Sequence, residues 1–509
     1  MTAIKRNPVP AAKRPYDLII IGGGIYGIAL ALEASARGIA NLLIEKEDFG
    51  WATSYNSLRT IHGGLRYLQK LDLPRFYESV AERRWFLREF PGLVSPLPCL
   101  MPLYGNGPYR PSVFRIALTL NDLLSRDRNR NVPRGQELPT SRVIDADEVA
   151  RLFPLVDRHD LQGGAIWYDG GIPSSQLVLM AMLRQACGRQ STALNYCRAD
   201  SLLVEGGRVR GIKATDRETG IRHSFLAPRV INAAGPWCRR VASCLDRDDP
   251  SLFHYSLAYN ILFDRPALSS FSLALKPRVE GARMYFVHGW HNRIMGGTIH
   301  EPWPEVSEQP MPTAASMAHY LQHLNLAVPG LNLRMSDIMH VYSGLLPVRE
   351  QGSSTLTVRP TIKDHGKDKG PLGLYSVAGI KFTTARHVAA RLLGHIFPDK
   401  KAAGSLQPAP QQEGGGSPAG RVDWDWLPDP NDTAWQQCFS DIITNEAVIH
   451  LDDLILRRTT IGDNPRRAIK AVEPLSRLFS WDDRRRREEI KRVTDYFQAR
   501  RPGRDTDNN

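Results

Sequence analysis

The sequence predicts an α/β protein with a mixed α+β insertion and a helical C-terminal region. Three observations carry this. A short apolar run, Tyr16 to Ile21, leads straight into a glycine cluster, as a strand buried on both faces does. Residues 25–37 follow with helical character, and Gly38 is placed to cap that helix. Ala40 to Ile44 then forms a second apolar strand, which completes one βαβ unit.

Along the middle of the chain, Arg208 to Ala214, Tyr259 to Phe263 and Arg283 to Gly289 read as strands among helical segments. Residues 340–395 return to strand-then-helix order, with a strand at Leu374 to Ala378, a break at Gly379 and a helix at Thr383 to Leu393. Residues 402–420 are rich in Gly, Pro, Ser and Gln and read as a linker. The resulting division is a basic N-terminal tail (1–15), an oxidoreductase region (16–400), a flexible linker (401–420) and a helical domain (421–509). Within 16–400, segments 16–90, 150–245 and 340–398 are expected to bind the cofactor. Segments 91–149 and 246–339, built on an antiparallel sheet, are expected to bind the substrate.

Composition narrows the class. The chain has 509 residues and 42% apolar content, enough for a full core in two or three domains. No stretch reads as a membrane span, and Met1 to Pro15 lacks the apolar core of a secretory signal. The expected location is the cytoplasm, or peripherally the inner face of its membrane. Cysteines 99, 187, 197, 238, 244 and 438 make no Cys-x-x-Cys pair, so no structural metal is expected. The net charge of +13 suits an anionic partner or an ordinary basic surface. Arg484–Arg487 runs directly into Glu488 and Glu489, the pattern of a solvated helix face, and no nucleic-acid motif is present.

Gly22-Gly23-Gly24-Ile25-Tyr26-Gly27 fits G-x-G-x-x-G, the Rossmann-type fingerprint. Gly22 permits the turn, Gly24 lets backbone approach a pyrophosphate, and Gly27 lets helix and strand pack closely. The helix N-terminus faces the phosphates. Glu45 ends the second strand where an acid binds a ribose hydroxyl. Two features favour FAD over NAD. The loop Lys46 to Ser54, with Thr53 and Ser54, suits a chain passing close to a cofactor. Further strand-to-glycine-to-helix junctions occur at Gly235, with Pro236 in a first helical turn, and at Gly379.

At these residues the chain resembles the FAD-dependent glycerol-3-phosphate dehydrogenases, within the D-amino-acid-oxidase-like flavoproteins. The matching stretches are Asp17–Gly27, Ala52–Leu68, Asn232–Trp237, Tyr342–Gly344, Ser376–Thr384 and Asp453–Gly462. They span nearly the whole chain. Ile61-His62-Gly63-Gly64-Leu65-Arg66-Tyr67-Leu68 is the most specific of them.

The resemblance implies oxidation of the C2 hydroxyl of glycerol 3-phosphate to dihydroxyacetone phosphate, with hydride passing to flavin N5. It implies a quinone acceptor, or oxygen in the related oxidases, and peripheral attachment to an anionic membrane. It places Arg66, Tyr67, Thr298, Arg359 and Asn260 at the substrate, and Arg66 and Lys381 in catalysis; His300, which adjoins Thr298, is the chain's own candidate for the proton acceptor. It adds Ile25, Tyr26, Lys46, His62, Gly63, Gly64, Phe382 and Thr383 to the cofactor contacts. A helix starting near Thr383, together with Lys381, would stabilise reduced flavin.

Three positions depart from the family. Leu346 stands where an arginine grips the phosphate, Asn260 where a histidine is expected, and Ile299 where an aspartate is expected. Arg349, three residues after Leu346, is a possible substitute if the chain turns at Pro347. These departures keep two alternatives open: a hydroxy-acid or amino-acid substrate, and a flavoprotein subunit without catalysis.

Overall fold

A computed structural model describes residues 3–105, 107–402, 420–429 and 431–502. Leu18–Ile21 is a strand with all four residues buried. It lies inside a six-stranded sheet in the order Thr361–Asp364, Leu374–Ala378, Val230–Asn232, Leu18–Ile21, Asn41–Ile44, Ser191–Leu194. All neighbours run parallel except the edge strand Thr361–Asp364. The helix Ile25–Ala36 is buried on nearly every side, because Ser175–Cys187 and Ala385–Ile396 both pack against it. Its alanines let these helices approach. Gly38 follows with φ +68°, a left-handed stop that favours glycine.

The strand expected at Arg208 to Ala214 extends to Asp216. It forms a separate three-stranded antiparallel sheet with Cys197–Glu205 and Arg222–Leu226. The large second sheet includes Ser95–Leu103, Gly163–Gly171, His254–Pro266, Tyr285–Trp290, Arg293–Pro302 and Ile338–Val348. Its pairings are antiparallel save one, Ser272–Leu275 beside Ser95–Leu103. Tyr259 to Phe263 falls within His254–Pro266. The strand expected from Arg283 begins instead at Tyr285, which leaves Arg283 in the approach to the strand.

The last helix of the oxidoreductase region starts at Ala385, two residues later than its pattern predicts, with Thr384 as its N-cap. After Gly420 the chain is helical: Ala434–Asn445, Pro465–Ser476 and Asp483–Ala499, with the π-helical segment Asp453–Arg458 between the first two. Within 401–420, residues 403–419 lie outside the described residues.

The C-terminal helices are joined to the rest by a buried ionic network. Asp48 is fully buried and accepts from Arg457 Nε (2.6 Å), from Arg458 Nη1 and Nη2 (2.6 and 2.8 Å) and from Asn195 (2.8 Å). Arg457 also pairs with Asp452 and Asp453, both at 2.7 Å. Charges this deep persist only when each is paired. At the N-terminus, Ile4 is buried and its N–H donates to the Asn445 carbonyl at 2.7 Å, while Arg6 pairs with Asp216.

Candidate active site

The glycine loop has the shape of a phosphate cradle. Gly22 holds φ +110°. A Cβ at Gly27 would overlap the Gly22 carbonyl oxygen, so only glycine lets the helix begin this close to the strand. At Gly24 an added Cβ meets only Ser54 Oγ, and the helix it starts has no side-chain cap. The Ile25 N–H donates to Ser54 Oγ at 2.9 Å. Glu45 is buried and accepts from the Gly23 N–H (2.6 Å) and the Glu47 N–H (2.9 Å). Burial pushes its pKa up and these backbone donors oppose the rise. Glu45 therefore also fixes the glycine loop itself.

Lys46 lies 4.5 Å from the Trp237 ring centroid and 5.3 Å from that of Trp51, and it pairs with Glu308 at 3.0 Å. The two tryptophans are 5.1 Å apart. Thr53 Oγ1 donates to the Leu345 carbonyl at 3.1 Å, tying the loop to the large sheet. Gly235 opens a short turn, Gly235–Trp237, before the helix Cys238–Leu245, and no atom lies within 4 Å of where its Cβ would be. Pro236 takes the first-turn position anticipated for it.

Gly379 is required because Tyr26 fills the space of a Cβ there. The Tyr26 hydroxyl is raised well above its ordinary pKa by burial, against hydrogen bonds from the backbone of Lys381 and Ile380. The first helix of the cradle and the third junction are thus in direct contact. Thr383 is buried just before the final helix, and Phe382 packs on Phe86 with centroids 6.0 Å apart.

The His62–Tyr67 string is anchored from beneath. His62 Nδ1 meets Asp169 Oδ2 at 3.0 Å, and the Gly63 N–H donates to Asp169 Oδ1 at 2.7 Å. Buried Arg83 donates to the Tyr168 carbonyl at 2.5 Å and lies 3.4 Å from Asp169. Burial would raise the Asp169 carboxyl, but His62 and Arg83 hold it below the usual range. His62 is thereby fixed in position. Gly64 is left-handed and starts the one-turn helix Leu65–Leu68, which presents Arg66 and Tyr67.

The Tyr67 ring joins the cations. Lys381 Nζ lies 4.1 Å from its centroid and the Arg75 guanidinium 4.6 Å. Burial, then Arg66, lowers the Lys381 pKa to about 8. Arg75 donates to the Val358 carbonyl at 3.3 Å, which brings exposed Arg359 to the rim, near Asp72. His300 is partly buried and its Nδ1 has no partner among the described residues. Burial, then Arg283 and Arg66, lowers its pKa to about 4. Arg283, which sequence reasoning did not single out, donates to Ser354 Oγ at 2.9 Å. Arg283 lies just before the strand Tyr285–Trp290 and close enough to His300 to help depress its pKa. None of the described ion pairs engages Arg66, Arg283, Arg359 or Lys381.

The diverged positions are also accounted for. Asn260 is buried; its Nδ2 donates to the Asn56 carbonyl (3.0 Å) and its Oδ1 accepts from Thr298 Oγ1 (2.8 Å). Both of its polar atoms are engaged, so it acts as a brace between loop and sheet. Leu346 pairs with Ser256 across strands. Arg349 is exposed just past that strand, and no described contact joins it to Arg66 or Lys381.

A family model described as FAD dependent oxidoreductase matches residues 17–393. Glycerol-3-phosphate dehydrogenase 1 of Mycobacterium tuberculosis (strain ATCC 25618 / H37Rv) is 29% identical over 508 residues, covering 91% of this chain and 95% of that protein. Glycerol-3-phosphate dehydrogenase of Synechocystis sp. is 28% identical over 408 residues, covering 77% of this chain and 72% of that protein. Among solved structures, the glycerol-3-phosphate dehydrogenase from Bacillus halodurans complexed with FAD superposes with a TM-score of 0.72 over 98% of both chains, at 18% identity.

Proposed function

This chain belongs to the FAD-dependent oxidoreductase family, and from that premise we propose that it oxidises the secondary hydroxyl of sn-glycerol 3-phosphate to dihydroxyacetone phosphate. The observation that carries this reading is the group of cations outside every described ion pair, Arg66, Arg283 and Lys381, gathered around His300 and Tyr67, with Arg359 on the rim beside Asp72. The three clustered charges self-repel, and a bound dianion would relieve them.

The residues present fit FAD. The open side of Gly24, the uncapped helix behind it, Glu45 and the open turn at Gly235 would hold the dinucleotide, with Ile25, Tyr26, Thr53 and Ser54 lining its path. His62, Gly63, Gly64, Gly379, Phe382 and Thr383 would flank the flavin. When bound, FAD supplies the hydride acceptor.

The chain's own residues do the rest. Arg66 and Arg359, with Arg283, hold the phosphate. Lys381 takes the hydroxyl proton on Nζ. Its pKa of about 8 leaves roughly a tenth of it neutral at pH 7, which is well poised for a general base. His300, at about 4, is neutral at pH 7 and accepts or donates a hydrogen bond without carrying charge. Asn260, braced by Asn56 and Thr298, shapes the wall.

We take the acceptor to be a quinone and the location to be the inner face of an anionic membrane. The charge of +13 supports this, and among the described residues no helix is long and apolar enough to cross a bilayer. One observation favours a second reading, a hydroxy-acid or amino-acid substrate: Leu346 removes one phosphate-binding arginine.

Anaerobic addition of glycerol 3-phosphate to the FAD-loaded protein separates the two. Rapid loss of the oxidised-flavin band supports the first reading. A flavin reducible by dithionite, yet untouched by glycerol 3-phosphate and bleached by a 2-hydroxy acid or amino acid, supports the second.

A further inference from the structure

A buried chain of polar side chains joins the second and third glycine junctions. The strands Val230–Asn232 and Leu374–Ala378 run parallel, with Asn232 opposite Ser376, and they lead into Gly235 and Gly379. His365 opens the turn that precedes the second of these strands. Asn232, His365 and Ser376 are all fully buried.

His365 Nδ1 lies 2.9 Å from Asp246 Oδ2, and its Nε2 lies 2.9 Å from Ser376 Oγ. Asn232 Nδ2 donates to Ser376 Oγ at 3.2 Å and to the Cys238 carbonyl at 2.8 Å. The Ala234 N–H donates to Asn232 Oδ1 at 3.2 Å. These contacts leave one arrangement of protons. The Asp246 carboxylate accepts, which puts a proton on Nδ1. Ser376 accepts from Asn232, and its own hydroxyl donates to Nε2. No side-chain polar atom of Asn232, His365 or Ser376 is left without a partner. A buried polar network this complete is rigid, whereas a broken one is costly.

The order Asp, His, Ser is that of a hydrolytic triad, but no substrate reaches it, because His365 and Ser376 are 0% exposed. Its output is the backbone instead. One side chain, Asn232, holds both ends of the turn Gly235–Trp237, the N–H before it and the carbonyl after it. Cys238 and Asp246 also bound the helix Cys238–Leu245, so that helix is gripped at its first residue and just past its last. Gly22 packs so closely on Ala233 and Ala234 that a Cβ would overlap their backbone. A shift of Ala234 therefore reaches the first glycine loop, while Ser376 stands three residues before Gly379.

We propose that Asp246, His365 and Ser376 are positioning residues for FAD: through Asn232 they set the Ala234–Gly235 backbone against which the dinucleotide binds. The proposal rests on the reading of these glycine junctions as the FAD cradle.

The test is calorimetric titration of FAD into the flavin-stripped full chain, paired with thermal melts with and without FAD. Ser376→Ala and His365→Phe should each weaken FAD binding about 5- to 100-fold. The double variant should bind no more weakly than the worse single, because the side chains act as one unit. Asp246→Ala, at the partly exposed end of the chain, should weaken binding about fivefold, and Asp246→Asn, which keeps an accepting oxygen, should stay within about twofold of wild type. The Asp246 pair carries the test if the buried variants do not fold.

A purely structural role has a different signature: melts with and without FAD fall together, and the affinity does not change. That result, or a double variant whose two losses multiply, overturns the proposal. Wild type that takes up no FAD overturns the cradle reading and the proposal with it. Wild type that binds FAD, beside variants that bind it equally well, overturns the proposal alone.

Discussion

If Lys381 is the base, replacing it should both slow flavin reduction and erase one limb of its pH profile. Lys381 is mostly enclosed, lies 4.1 Å from the Tyr67 ring centroid and has Arg66 nearby. Burial disfavours its ammonium form and Arg66 adds like-charge repulsion, which together bring the pKa to about 8. The neutral amine is the active form, so activity rises with pH through that value. In the free enzyme about a tenth of the amines are neutral at pH 7 and about nine-tenths at pH 9, so kcat/KM should rise roughly tenfold over that span. A bound phosphate beside the amine favours its charged form, so the limb in kcat should lie at higher pH than the limb in kcat/KM. Lys381→Gln removes the base and should cost about 10²- to 10⁴-fold in the reduction rate, with the limb gone. The assay is anaerobic stopped-flow reduction with glycerol 3-phosphate across pH 6 to 9.5 (an assay range set around that ~8 midpoint). A variant within about fivefold of wild type that keeps the limb would refute the assignment.

His300 should behave differently. His300→Ala is expected to raise KM and slow reduction while leaving the Lys381 limb in place, since a group titrating at about 4 is already neutral throughout; a lost limb would transfer the role of base to His300. Gly27→Ala should yield protein depleted of flavin and destabilised by about 1–3 kcal/mol or more, because the new methyl meets the Gly22 carbonyl; flavin content and the thermal midpoint check this. Asp48→Ala removes the carboxylate paired with buried Arg458 and one of the three paired with Arg457, and should cost about 3–5 kcal/mol in urea unfolding; a loss below about 1 kcal/mol would show that water reaches the network.

What the sequence made legible was local. The strand, glycine loop, helix and second strand from Leu18 to Ile44 are dictated by neighbours in the chain, and they appear with boundaries shifted by a residue or two. The strand-to-glycine junctions at Gly235 and Gly379 were legible for the same reason. What stayed hidden depends on contacts across the chain. Arg283 had no local mark, since only the fold brings the segment before Tyr285–Trp290 alongside His300. Trp51 and Trp237 stood in sequence stretches that had been noticed, yet their stacking with Lys46 joins two junctions that sequence keeps apart. Asn260 looked like a lost histidine. Only the fold reveals its use as a brace linking Asn56 to Thr298.

The Asp48 network has a thermodynamic meaning. Asp48 stands three residues after Glu45 and five before Thr53, within the loop that would run beside the cofactor, and its charge is balanced wholly by Arg457 and Arg458 from the far end of the chain. Holding that loop in its binding shape and holding the C-terminal helices in place are therefore one event. By linkage, whatever binds the loop must also stabilise those helices, and whatever loosens them must weaken binding to the same degree. The C-terminal helices, which contribute no residue to the proposed chemistry, thus act as a reservoir of affinity for the flavin.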